Sequence, residues 1–178
     1  MILNETINKL LRDVVNLLLS SPAYTIAAKQ KDAPRPTGAY GSVDFISSIA
    51  IGVEQRSFKN NISGDDLTEN IEGMREIMMS ISFYRDSAIN NANQVYIGFI
   101  RESVQSMFRS AGVGFTRRSD VREISDALEN GWEERAQFDI FLNIIGTDSD
   151  IVKSILSVDM ASEFQFRGMV YNSNIEVQ

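Results

Sequence analysis

A chain of 178 residues with 43% hydrophobic and 23% charged residues has the balance of one folded domain of ordinary size, which excludes disorder throughout. With no cysteine and no histidine it can form no disulfide, thiolate nucleophile, Ser-His-Asp triad or Cys-His pair, so an enzyme here would need carboxylates, lysine or carboxylate-held magnesium. The formal charge of −7 repels nucleic acid, and no stretch approaches the roughly 20 apolar residues that span a bilayer, so neither DNA affinity nor a membrane is expected.

The opening MILNETINKLL lacks the basic region and cleavage site of a signal peptide, which with the missing cysteines points to synthesis in a reducing cytoplasm. Residues 4–20 predict an amphipathic helix: Asn4 can cap it, and Ile7, Leu10, Leu11, Val14, Leu17 and Leu18 recur at helical spacing until Ser20-Ser21-Pro22. A short extended piece follows from Tyr24 to Lys29. Two prolines in Ala33-Pro34-Arg35-Pro36-Thr37-Gly38 then hold Arg35 on stiff backbone.

From Ala39 the alternation of Val43, Phe45, Ser47, Ile49, Ile51 and Val53 predicts a long strand with one buried face. The polar stretch Lys59 to Glu69 predicts a protruding loop, and Ile71 to Tyr84 a second strand, together a β-hairpin. A continuous apolar stripe from Ala88 to Phe108 predicts one helix of roughly 24 residues, capped by Asp86 or Ser87. Gly112 to Arg118 reads as a short strand, Ser119 to Leu128 as a short helix and Asn130-Gly131 as a turn. In Trp132 to Thr147 alternation returns, with Trp132, Ala136, Phe138, Ile140, Leu142 and Ile144 on the inner face.

Beyond Asp148 the pattern weakens to a short helix or strand at Ile151 to Val158 and an extended stretch from Phe164 to Val177. The expected organisation is one domain over residues 1–147 and a C-terminal extension over 148–178 that docks on a neighbouring subunit. The expected fold is α+β: a mixed or antiparallel sheet with a long hairpin, covered by two main helices. Its expected core includes Leu11, Val14, Leu18, Phe45, Phe99, Val104, Trp132, Phe138 and Ile140.

No catalytic, cofactor or metal site emerges. Glu133 and Glu134 are adjacent on a strand and point to opposite faces, Asp65-Asp66 sits in a polar loop, and Asp148 with Asp150 reads as turn chemistry. Gly112-Val113-Gly114 lacks the later glycine of a phosphate-cradling loop. Arg117-Arg118 and the stretch Lys29 to Arg35 lack interleaved stacking aromatics, so they suit an acidic partner or solvent better than single-stranded nucleic acid.

Two segments carry a family likeness: Ala33-Pro34-Arg35-Pro36 leading to Tyr40, and Trp132-Glu133-Glu134-Arg135-Ala136 leading into Phe138-Asp139-Ile140. With the helices and strands between them, over residues 4–147, the chain resembles the phage neck terminator proteins. The resemblance implies a ring of six at the neck of a tailed, contractile phage, made in the host bacterium's cytoplasm. It implies contact with the tail tube, possible sheath contact on that side, and the head connector on the other, with DNA passing unbound and no catalytic residues. It also places subunit contacts at the hairpin loop and the C-terminal arm, here Lys59, Asp65, Asp66, Glu69, Phe164 and Phe166. Arg35 and Arg135 are the expected charged contacts across the ring, because a guanidinium pairs a carboxylate in fixed geometry. On that reading Arg135→Glu weakens the ring more than the fold. A head-side stopper or adaptor ring is the first rival, and a magnesium enzyme built on Asp65, Asp66 or Glu134 the second.

Overall fold

The structure is a computed structural model that describes residues 2–21, 24–30, 34–60, 66–128, 131–153, 158–166 and 169–177. Its architecture is α+β: a mixed sheet with a long hairpin, and three helices. The chain divides into two units, Met1–Val53 with Gly73–Gly146, and Glu54–Glu72 with Thr147–Gln178.

The first unit holds the main core. Helix α1 (Ile2–Leu18) buries Ile7, Leu11, Val14, Val15 and Leu18, the stripe that its 3.6-residue period places on one side. Strand β1 (Thr25–Ala27) pairs in parallel with the start of β2 (Tyr40–Asn60), Thr25 opposite Gly41. Strand β3 (Asp66–Tyr84) returns beside β2 and buries Ile77, Met79, Ile81 and Phe83, alternate residues facing one side.

Helices α2 (Ala88–Gly98) and α3 (Glu102–Ser110) stand where the stripe predicts a single helix. The break has a local cause: Arg101 is extended at φ −64° and ψ 141°, and Gln105 Nε2 donates to the Phe99 carbonyl at 2.7 Å. Both halves still cover one core, since Ala88, Ala92, Val95, Phe99, Val104 and Phe108 are buried in the same cluster. Continuity of the stripe therefore reports a shared core and not a continuous axis. Phe99 joins the layers, packing its ring at 5.8–6.0 Å from those of Phe108, Phe115 and Phe138.

Strands β4 (Gly114–Arg118) and β5 (Arg122–Glu123) both pair antiparallel with β8 (Arg135–Lys153), giving the sheet order β1-β2-β3-β8-β4. Strands β6 (Asp126–Leu128) and β7 (Gly131–Glu133) form a small antiparallel pair of their own. The expected helix over Ser119 to Leu128 is thus absent. Its cap residue is spent across strands instead, Ser119 N–H donating to the Asp139 carbonyl and Ser119 Oγ accepting from Asp139 N–H, each at 2.8 Å. Tertiary pairing overrides weak helical preference here.

Strand β8 buries Ala136, Phe138, Ile140, Leu142 and Ile144. Trp132 is a correction to the expected core, because its side chain is 71% exposed while Glu133 is only 5% exposed. The strand is interrupted at Glu134, so the alternation before the break does not continue the one after it. Phe45 is half-buried against the core. The outer half of the β2 face departs further from expectation: Ile49 is 60% and Val53 96% exposed.

In the second unit Lys59, Asp66 and Glu69 lie in strands, not in a loop, and Asp65 lies outside the described residues. Arg56 and Glu69 pair there at 3.5 Å. Strands β9 (Val158–Phe166) and β10 (Met169–Val177) form an antiparallel pair from Phe166 opposite Met169 to Val158 opposite Val177. Phe164 and Phe166 thus belong to β9, and the expected short element from Ile151 to Val158 falls partly outside the described residues.

Candidate functional site

The two segments that carry the likeness meet in space within the first unit. The turn from β3 to α2 puts Arg85 and Ser87 in the left-handed region, at φ 62° and 65°. Arg85 Nε donates to Glu133 Oε1 at 3.1 Å, and its Nη1 donates to the Pro36 carbonyl at 2.6 Å. Arg135 grips the other oxygen of the same carboxylate, Nε at 2.6 Å and Nη2 at 2.5 Å from Glu133 Oε2. Arg35 approaches that oxygen at 3.5 Å. One buried carboxylate therefore ties the proline-flanked turn, the end of β3 and the start of β8 together.

The arginines are also held by aromatic faces. Tyr40 and Tyr84 stack at 4.6 Å and 11°, with Arg85 over Tyr40 at 5.8 Å and Arg35 and Arg135 over Tyr84 at 5.8 and 5.6 Å. Glu134, pointing the other way, accepts from the Ser87 and Ile89 N–H groups at 3.1 Å each. Its carboxylate thus caps the start of α2, where orphan donors and the helix dipole favour negative charge.

Burial opposes ionisation of Glu133, but hydrogen bonds from Arg135 and Arg85 and the nearby positive charges prevail and hold its carboxyl below the usual range. Arg135 is raised, chiefly by its bond to Glu133. A carboxylate so clasped is an acceptor with no proton to give at neutral pH, which makes this a fastening and not acid-base chemistry. Within the chain, the Arg135 guanidinium is engaged by Glu133 and is only 20% exposed, the pairing inside one subunit that stands beside a contact across the ring. Arg35 keeps a half-exposed flank and, with Lys29, Pro34, Pro36, Tyr40 and Tyr84, lines a cleft of about 210 Å³.

Among the described residues no three acidic side chains converge to hold a metal, and no helix is long and apolar enough to cross a membrane. What this site can do is fix backbone. The sequence signal for it was present in Pro34-Arg35-Pro36 and Glu133-Glu134-Arg135, but Arg85 and Tyr84, which join the two, carry no mark in the sequence beyond ending a strand.

The sheet of this unit is also apolar and open on both faces: Ile49 and Ile51 continue the side of β2 that carries buried Val43, whereas Ile46, Met74 and Ile145 alternate to the side opposite the buried residues of their strands. Ile46, Ile49, Ile51 and Val53 on β2, Met74 on β3 and Ile145 on β8 are all exposed. That is more apolar side chain in one sheet than scattered surface residues account for.

No curated protein matches this chain. Residues 4–166 match the family described as phage neck terminator protein, a span that holds both segments gathered at Glu133 and also reaches strand β9. The chain belongs to the phage neck terminator protein family.

Proposed function

We propose that this protein is the subunit of a six-membered ring that ends the tail tube in the neck of a contractile-tailed phage and offers its other surface to the head connector. The single observation that carries the ring is the open apolar sheet, with Ile49, Val53 and Ile145 each at least 60% exposed. An isolated subunit would hold these side chains, on both faces of the sheet, against water, and burying such side chains yields ~1.5 to 3 kcal/mol each. Membership of the neck terminator family supports a place in the neck. Six copies of a chain with formal charge −7 bring −42 to the assembly, so DNA passes without being gripped.

The protein makes and breaks no bond on this reading; it works by shape and charge, is made in the host cytoplasm and ends in the virion. Subunit contacts would involve the exposed residues Arg35, Lys59 and Asp66, and neighbours above and below would be the connector, the tube and the sheath. Native mass of purified tails treated to release the neck, together with imaging of particles carrying a labelled subunit, tests the proposal. A ring near six times 19.9 kDa at the head-proximal end of the tube is expected. A protein absent from the particle, or found at the portal face, overturns it.

A further inference from the structure

We infer that the outer edge of β2 receives strand β10 from a second copy, so that each ring subunit is completed by its neighbour's C-terminal hairpin. The inference rests on the ring proposed above and names the contact that closes it.

Strand β1 covers only Gly41 to Val43 of the outer edge of β2. There Gly41 N–H donates to the Tyr24 carbonyl and the Val43 carbonyl accepts from Ala28 N–H, so odd-numbered residues of β2 direct their backbone groups outward. The same alternation points the N–H and C=O of Phe45, Ser47, Ile49 and Ile51 at an edge that no strand occupies among the described residues. Gly52, at φ 76°, ends the regular run.

The end of β8, in the second unit, is built differently. On β8 the Asp148 carboxylate accepts from Ser149 N–H at 3.0 Å and the Asp150 carboxylate from Ile151 N–H at 2.8 Å. Charged side chains that occupy edge donors are the usual guard against unwanted pairing. The β2 run Ile46 to Val53, ISSIAIGV, has no charge, proline or other guard, and it is apolar at Ile46, Ile49, Ile51 and Val53. A long edge run without such a guard is an edge meant to be paired.

The chain also supplies the strand to pair with it. Strands β9 and β10 form a sheet of only two strands, an arrangement that is marginal alone in water. Their register sets apolar residues opposite apolar ones at four of five alternate positions, Met169 with Phe166, Tyr171 with Phe164, Ile175 with Met160 and Val177 with Val158, with Ser173 opposite Ser162 between them. Such a hairpin needs an apolar surface and a further strand, which is what β2 lacks as well. Strand β10 is the better donor because Glu176 is its one charged residue, whereas β9 has Asp159 and Glu163. Edge pairing supplies affinity through the backbone, and a head-to-tail contact of this kind is one that a closed rotation turns into a ring.

The absence of cysteine makes the test clean. Chains carrying Ile49→Cys with Tyr171→Cys, Ser173→Cys or Ile175→Cys are assembled on tails and oxidised. At least one pair is expected to give a ladder of linked oligomers on a denaturing gel. In parallel, Ile49→Pro removes an outward N–H and is expected to cut the assembled fraction about tenfold while the isolated chain melts as before. Ile49→Ala controls for the lost side chain, and Ser48→Pro, whose N–H faces β3, should instead destabilise the isolated chain. Disulfides confined within monomers, or full assembly of Ile49→Pro with no ladder from any pair, would sink the edge contact and leave the ring standing. A wild-type chain that never assembles on tails removes both.

Discussion

Leu18 fills the space in which a side chain on Gly98 would have to sit. A Cβ built there would lie 2.5 Å from Leu18 Cδ2 and 2.9 Å from Cδ1, inside contact distance for both methyl groups. The end of α1 and the end of α2 approach this closely only because residue 98 has no side chain, and Gln94 Nε2, one turn earlier, donates to the Leu18 carbonyl at 2.8 Å.

Gly98→Ala should therefore destabilise the protein although alanine is the better helix former by about 1 kcal/mol. Leu18 is buried and cannot swing aside freely, so overpacking of about 1 to 3 kcal/mol outweighs the gain. Urea denaturation of Gly98→Ala, Leu18→Ala and the double variant checks it. The double should be more stable than the sum of the two losses predicts, since the alanine methyl then enters space that Leu18 has vacated.

Glu133 predicts a pH dependence with a definite sign. Its folded pKa lies below its unfolded value, so its contribution to stability is complete above the ordinary glutamate value of about 4.3 and is lost as pH falls through the lower, folded value. Glu133→Gln should be destabilised at pH 7 by roughly 3 kcal/mol, the range for breaking one partner of a buried pair, because Arg85 and Arg135 lose their counter-charge. The gap to wild type should close as the pH is lowered past that folded value. Arg135→Glu should lower the melting temperature of the isolated chain itself; an unchanged melting curve would contradict the clasp.

Removing the carboxylate of Glu134 tests the capping role apart from the clasp. Glu134→Ala leaves the Ser87 and Ile89 N–H groups without their acceptor and should cost about 1 kcal/mol. Hydrogen exchange should rise over the first turn of α2 and remain unchanged in α1.

How far the sequence was legible follows from what each signal reports. Periodicity marks which residues share a surface, and so α1, β3 and the inner face of β8 were readable from Leu11, Ile77 and Phe138. It does not mark whether an axis is continuous, which is why Phe99 and Val104 read as one helix and belong to either side of a break. Nor does it distinguish a face covered by the chain's own helices from one left exposed, so Ile49 and Val53 looked buried. At the site, the arginines and glutamates stood out by their spacing with proline and tryptophan. What the sequence could not show is the clasp itself, because the pairing of Arg85 with Glu133 runs across 48 residues and leaves no local pattern.

Trp132 gives the last prediction, and it separates the folding of one chain from the assembly of many. It is the single tryptophan and is 71% exposed in β7, so intrinsic fluorescence reports on this position alone. The isolated chain should emit like indole in water and be quenched readily by iodide. Trp132→Ala should change folding stability by no more than about 0.5 kcal/mol, as for surface positions in general, where a core tryptophan would cost about 3 to 5 kcal/mol. Large exposed indoles are enriched at the centres of protein interfaces, so the same variant should assemble on tails less well than wild type, and the emission of the wild-type protein should shift to shorter wavelength once it is in the ring. A loss of stability in the isolated chain would return Trp132 to the core; unchanged assembly with unchanged emission would leave it a solvated side chain outside every contact.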